Sequence, residues 1–191
     1  MSSIPTLMKA ARVGKQGGLE EIQVTDIPVS TPEPNEILIK VEWAGVNFID
    51  TYFRGGVYPR QVPFTLGQEA AGTIVSLPTA SQVLNSDDYK IRGFKHGARY
   101  AGSSFAEYVA VPWKDVQLIP DGLSTPQAAA SLARGLTALT FVKEAYPIKQ
   151  GDWVLIHAAA GESRPLVHPT RKPTRRHDFV PRQSPDPAQP T

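Results

Sequence analysis

Residues 151–161 read GDWVLIHAAAG, and the expectation for the whole chain turns on them. Trp153, Val154, Leu155 and Ile156 follow one another without alternation, as in a parallel strand covered by helices on both faces. A buried strand running into a glycine opens a dinucleotide-binding βαβ unit, in which a helix N-terminus receives the cofactor's pyrophosphate. Such a unit needs further glycines. Here Gly161 is followed by Glu162, Ser163, Arg164 and Pro165, so the expectation is a nucleotide domain that opens and is not built.

Beyond Gly161 the pattern collapses. Residues 162–191 contain seven prolines, and their apolar residues are Leu166, Val167, Phe179, Val180 and Ala188. So little burial cannot offset the ordering entropy of the segment, and a disordered Pro/Arg-rich tail is expected. Gly161-Glu162-Ser163 can be encoded GGT-GAG-TCN, which contains GTGAGT, a near-ideal eukaryotic splice donor. A retained intron is therefore one expected origin of the tail, and a frameshift is the alternative.

Upstream the grammar is that of an all-β unit. Met8–Val13 and Leu19–Val24 flank a Gly17-Gly18 turn and are expected to form a hairpin. The proline-rich connection PVSTPEPN (28–35) leads to the clearest alternation in the chain, EILIKVEWA, which sets Ile37, Ile39, Val41 and Trp43 on one face. Gly72–Leu77 and Phe105–Val111 are further strand candidates, separated by a polar stretch around Asn85–His96. Short strands with turn signals between them point to a compact barrel or sandwich. From Ser124 the pattern becomes helical. Ser124-Thr125-Pro126-Gln127 fits a capping box with proline in the first turn, Gly135 is expected to interrupt, and Leu136–Tyr146 to form a second helix.

Composition removes several function classes. Residues 162–191 carry six Lys/Arg against three acids, which leaves 14 of the 20 basic and 15 of the 18 acidic residues in 1–161. A body so near neutrality has no nucleic-acid footprint. With no cysteine in the chain, disulfides, thiolate zinc sites and a cysteine nucleophile are excluded. MSSIPTLMK lacks the apolar run of a secretory signal, and no stretch approaches the roughly 18 apolar residues that span a membrane. A cytoplasmic protein without membrane or nucleic-acid partners is expected. No G-x-S-x-G or H-E-x-x-H occurs either.

Six segments occur in series: GVNFIDTYFRGGVYP (45–59), LGQEAAG (66–72), SFAEYVAVP (104–112), LIPDGLS (118–124), QAAASLARGLTA (127–138) and GDWVLIHAAAG (151–161). In this order and spacing the chain resembles the zinc-independent quinone oxidoreductases of the medium-chain dehydrogenase/reductase superfamily, the zeta-crystallin-like group. The resemblance implies a mostly β GroES-like barrel over 1–124, linking helices and the first strand of an incomplete Rossmann unit over 125–161, and the tail at 162–191. It also implies a family homodimer interface that is largely missing. Zinc-dependent relatives use a cysteine and a Gly-His-Glu motif. The corresponding Gly67-Gln68-Glu69, and the wide separation of His96 and His157, lead to an expectation of no zinc.

The resemblance further implies NADPH as cofactor and a quinone as substrate. Asn47 and Tyr52 would lie on the nicotinamide side of the cleft, Thr137 on the helix facing the cofactor, Gly161 at the pyrophosphate, and Tyr58 in the wall of the quinone pocket. No residue is assigned to the chemical step itself, since hydride transfer needs orientation more than a dedicated acid. Read from the residues alone, Asn47 is a turn residue, Asp50 caps a short helical turn, and Glu69, between Gly67 and Ala70-Ala71-Gly72, is structural, hydrogen-bonding to a neighbouring backbone. Arg134 belongs to a solvated face and His157 is a structural histidine. The expected function is NADPH:quinone oxidoreductase by lineage, inactive as this chain. The alternatives are a non-catalytic GroES-like barrel that binds a partner, and an enal or enoyl reductase of the same superfamily.

Overall fold

The computed structural model describes residues 3–96, 99–102, 105–149 and 152–155. The chain divides into two compact units, Met1–Ala133 and Arg134–Thr191.

The first unit begins with a hairpin of β1 (Leu7–Val13) and β2 (Ile22–Pro28), paired from Leu7 opposite Pro28 to Val13 opposite Ile22. The expected second strand starts later than its sequence pattern indicated. Leu19–Glu21 form a 3-10 turn, in which the Gly18 N–H donates to Glu20 Oε1 at 3.2 Å and Gln23 Nε2 to the Glu20 carbonyl at 2.7 Å. These local bonds hold backbone groups that a strand would have used.

Then follow β3 (Glu36–Gly45), α1 (Phe48–Gly55), β4 (Phe64–Thr65), β5 (Glu69–Ser76), α2 (Ser81–Leu84) and α3 (Asp87–Arg92). The chain continues with β6 (Arg99–Gly102), β7 (Tyr108–Pro112), β8 (Gln117–Leu118), α4 (Thr125–Ala129) and α5 (Leu132–Thr140). The strands form two antiparallel sheets, β2-β1-β4 and β7-β3-β5-β6-β8. They are stitched into a barrel by an Ala10–Ala106 bridge and by backbone bonds from Ala11 to Phe105 and from Glu107 to Lys9.

The alternation along β3 holds only as far as Val41. Ile37 and Ile39 enter one core cluster with Ile74, Val111 and Val116, as expected. Leu38, on the opposite face, is buried too, with Met8, Ala10 and Tyr108. A central strand between two sheets can bury both faces. Between Val41 and Trp43 the pairing with β5 shifts register, and this bulge turns Trp43 out to 55% exposure.

The polar stretch near Asn85–His96 is more ordered than its composition implied. Ser86 caps α3, accepting from the Tyr89 N–H; Asp87 and Asp88 lie in its first turn, and Gly93 ends it in the left-handed conformation. Val83, Tyr89 and Phe94 then carry this pair of helices into the core beside Trp113.

At the C-terminal side the Ser124–Gln127 capping box forms as its residues indicate. The interruption falls at Ala130-Ser131, before α5 begins, and Gly135 lies inside α5. The Ser131 hydroxyl donates to the Gln127 carbonyl at 2.5 Å, a local bond that competes with a continuous helix. Instead of an α-helix to Tyr146, Phe141–Ala145 form a single π turn. Of the strand expected over 153–157, the described residues Trp153–Leu155 have no strand pairing, and Trp153 is 85% exposed. A parallel strand is defined by its neighbours, and none of the described residues pairs with these. Ile156, His157, Gly161 and the tail lie outside the described residues.

Candidate functional site

The site is built on α1 and the loop that follows it. The chain leaves β3 at Gly45, where a Cβ would collide with Glu69 Oε1 and with the Ala129 carbonyl, so β3, β5 and α4 can approach only over a glycine. Asn47 is extended (φ −119°, ψ 151°) and heads the helix. The Asp50 carboxylate accepts its backbone N–H at 2.9 Å, the capping role read from the sequence. Gly56 ends the helix at φ +80°, a conformation costly for any residue with a Cβ.

Four residues apart on this helix, Phe48 and Tyr52 share a face and their rings meet edge-on at 5.2 Å. The loop then doubles back. The Tyr58 N–H donates to the Tyr52 carbonyl at 3.3 Å, and the Tyr58 ring packs edge-on against Tyr52 at 5.3 Å and against Phe53 at 5.7 Å. Two expected site residues, Tyr52 and Tyr58, are thus in contact. Phe48 is 73% and Tyr58 44% exposed. Neither phenol oxygen makes a hydrogen bond among the described residues. Partly exposed rings with hydroxyls that make no hydrogen bond among the described residues suit a flat ligand with polar edges.

The start of the same helix carries a buried polar network. Glu69 is 0% exposed; its Oε1 accepts from Asn47 Nδ2 at 3.0 Å and its Oε2 from the Ala133 N–H at 2.9 Å. It is bonded inside the fold, but not to neighbouring backbone as the sequence led us to expect: its backbone partner is 64 residues away and its other partner is a side chain. Asn47 Nδ2 also reaches the Gly45 carbonyl at 3.4 Å, so its donors are spent inside the fold. Asp50 is buried and its Oδ1 has no hydrogen-bond partner. Burial pushes the Asp50 carboxyl above the ordinary value of 3.8, against the Asn47 and Gly67 backbone N–H groups and the Arg60 charge, which lower it, and with the Glu69 charge, which raises it.

A clasp holds the other end of α1. The Gly17 N–H donates to the Arg54 carbonyl at 2.9 Å, Arg54 Nε donates to the Gly17 carbonyl at 3.2 Å, and Gln16 Nε2 reaches the Phe53 carbonyl at 3.5 Å. Sequence reasoning missed this clasp, because nothing in the Gly17-Gly18 turn names its partner. It also missed Arg60, whose guanidinium lies over Phe53 at 5.4 Å and Phe64 at 4.9 Å.

Two further expected residues belong to the second unit's stretch of chain. Thr137 is exposed on α5 in the second unit, and Gly161 lies outside the described residues. An open groove of about 330 Å3, lined by Val41, Trp43, Ala44 and Phe105 among others, contains none of the expected site residues. Among the described residues no three His, Cys, Asp or Glu side chains gather as a metal site, and no helix is long and apolar enough to cross a membrane.

Comparison with known proteins places this geometry. Residues 33–121 match the alcohol dehydrogenase GroES-like domain family. Over 150 residues the chain is 37% identical to a probable quinone oxidoreductase of Schizosaccharomyces pombe, covering 78% of this chain and 44% of that protein. Over 148 residues it is 35% identical to quinone oxidoreductase 1 of Escherichia coli, covering 77% and 44%. Among solved structures, a mycobacterial protein complexed with NADPH superposes with a TM-score of 0.76 at 36% identity, covering 84% of this chain and 48% of that one. Escherichia coli quinone oxidoreductase complexed with NADPH gives 0.72 at 30% identity, covering 83% and 48%. The fold and these matches define the GroES-like domain of a medium-chain dehydrogenase/reductase. Within that superfamily the curated relatives to which the chain is similar at 35–37% identity are named quinone oxidoreductases. It spans about half the length of the curated relatives it matches.

Proposed function

We propose that this chain carries the acceptor-side wall of an NADPH:quinone oxidoreductase. The observation that supports this reading is the Tyr52–Tyr58 ring pair, 5.3 Å apart and open at both phenols, in a domain whose relatives are quinone oxidoreductases. Reduction of a quinone takes up a hydride and a proton to give the hydroquinone, and the bound cofactor would supply the hydride. The chain's part is orientation. Tyr58 walls the quinone ring, and Tyr52 lies against the nicotinamide side. Asn47 contributes by fixing the start of the helix, since its donors are already bonded to Glu69 and Gly45. Orientation of this kind lowers the barrier by holding the reacting rings in contact. Thr137 and Gly161 are assigned to the cofactor, and no metal ion is invoked.

The residues that this chain shares with its curated relatives cover less than half of each. We therefore expect the 191-residue chain alone to show no quinone-dependent oxidation of NADPH. Turnover by the purified chain would overturn that part of the reading. The acceptor wall is tested by titrating the chain with a neutral hydroxymethyl anthraquinone. Tyr58→Ala is expected to weaken binding about fivefold, the worth of an aromatic contact. A quinone that binds equally well to Tyr58→Ala would overturn the assignment of Tyr58.

A further inference from the structure

Two arginines in this domain stack on aromatic rings, and only one of them has its donors occupied. The Arg92 guanidinium lies over Trp113 at 5.4 Å. Its Nε bonds Asp88 at 3.1 Å and its Nη1 reaches the Lys114 and Val116 carbonyls at 3.0 and 3.4 Å. That is a structural arginine. The cation sits on a ring and its N–H groups tie α3 to the chain around Trp113.

Arg60 has the stack without the ties. Its guanidinium covers Phe53 and Phe64, and it makes no hydrogen bond or ion pair with any described residue. The two buried carboxylates nearby take their hydrogen bonds from other groups, Asp50 from Asn47 and Glu69 from Asn47 and Ala133, and the Arg60 charge acts on Asp50 only at a distance, favouring its carboxylate without an ion pair. Stacking restricts the guanidinium plane while leaving its edge donors toward solvent, so little further ordering is lost when an anion binds them. The position is adjacent to the acceptor wall, for Phe53 packs against both Arg60 and Tyr58.

Resting on the quinone-wall reading above, we propose that Arg60 is a specificity-determining residue that selects ring acceptors bearing an anionic substituent, a carboxylate or sulfonate. A planar fork of donors meets such a group through paired charge-assisted hydrogen bonds, and a neutral acceptor gains nothing from it.

The test compares anthraquinone sulfonate with neutral hydroxymethyl anthraquinone by calorimetric titration of the full 191-residue chain. The unaltered chain is expected to bind the sulfonate about fivefold more tightly, the scale of a partly solvated ion pair, and the preference should shrink as salt is raised. In Arg60→Gln the ratio of affinities should fall to about one. In Arg60→Lys, which keeps the charge without the planar fork, it should fall to an intermediate value. Far-UV circular dichroism establishes that both variants fold. If the neutral quinone binds and the sulfonate shows no advantage, or keeps its advantage in Arg60→Gln, the role of Arg60 is overturned and the acceptor wall stands. If neither quinone binds the unaltered chain, both readings fall.

Discussion

The domain holds two aromatic clusters of similar geometry and opposite surroundings. Tyr89, Phe94 and Trp113 meet at 5.3 to 6.4 Å, are buried, and share their cluster with Ile37, Ile39 and Ile74. Phe48, Tyr52, Tyr58 and Phe53 meet at 5.2 to 5.7 Å with two members well exposed. Burial of aromatic rings stabilises a fold, and the first cluster does so. The second leaves that stabilisation unrealised, which is the pattern on which the proposed acceptor wall rests. The arginines follow the same division, Arg92 bonded into the fold and Arg60 open. What distinguishes site from core here is unused capacity: exposed ring faces, free phenols and free guanidinium donors.

Substitution can break this contrast. Trp113→Ala should be the most damaging, costing about 3–5 kcal/mol, measured by urea unfolding of the chain. A loss under 1 kcal/mol would mean that the buried cluster is not what holds the barrel.

The buried carboxyl at the start of α1 gives a smaller effect with a defined sign. The carboxyl of Asp50 is raised above its ordinary value by burial, so the folded state binds the proton more tightly than the unfolded chain. The stabilisation from that protonation is present below 3.8 and is lost as pH rises through the raised value. Asp50→Asn should remove this falling component of the stability curve above 3.8. A curve of unaltered slope would show that Asp50 titrates as an exposed carboxyl does.

Phe48→Ala should do least, changing stability by no more than about 0.5 kcal/mol, because the ring is already in water. A loss comparable to that of Trp113→Ala would erase the distinction between the two clusters.

Much of this was legible in the sequence, and the failures have identifiable causes. The Ser124–Gln127 box and the Asp50 cap could be read because a cap is local: its donor and acceptor lie three residues apart. Ser86, Asp87, Asp88 and Gly93 spell the same grammar for α3, and it went unread because the polar residues around it outweighed the single buried turn of Tyr89. The bulge at Glu42 was out of reach, since register is set by a partner strand and Trp43 alternates correctly in one dimension. Tyr52 and Tyr58 were found through the motif that contains both. Arg60 was missed because its rings, Phe53 and Phe64, lie seven and four residues away on opposite sides, and only the fold brings them together.

The clasp between Gly17 and Arg54 has a consequence for how this domain tolerates change. The tip of a β-hairpin is ordinarily a place where chain length can drift freely. Here the tip is joined by paired backbone and side-chain bonds to the end of the helix that carries Tyr52. A residue inserted between Gly14 and Gly18 would shift the ring pair, although it lies more than thirty positions away in the chain. The hairpin tip is thereby a ruler for the site, and its length is under the same constraint as the rings it positions.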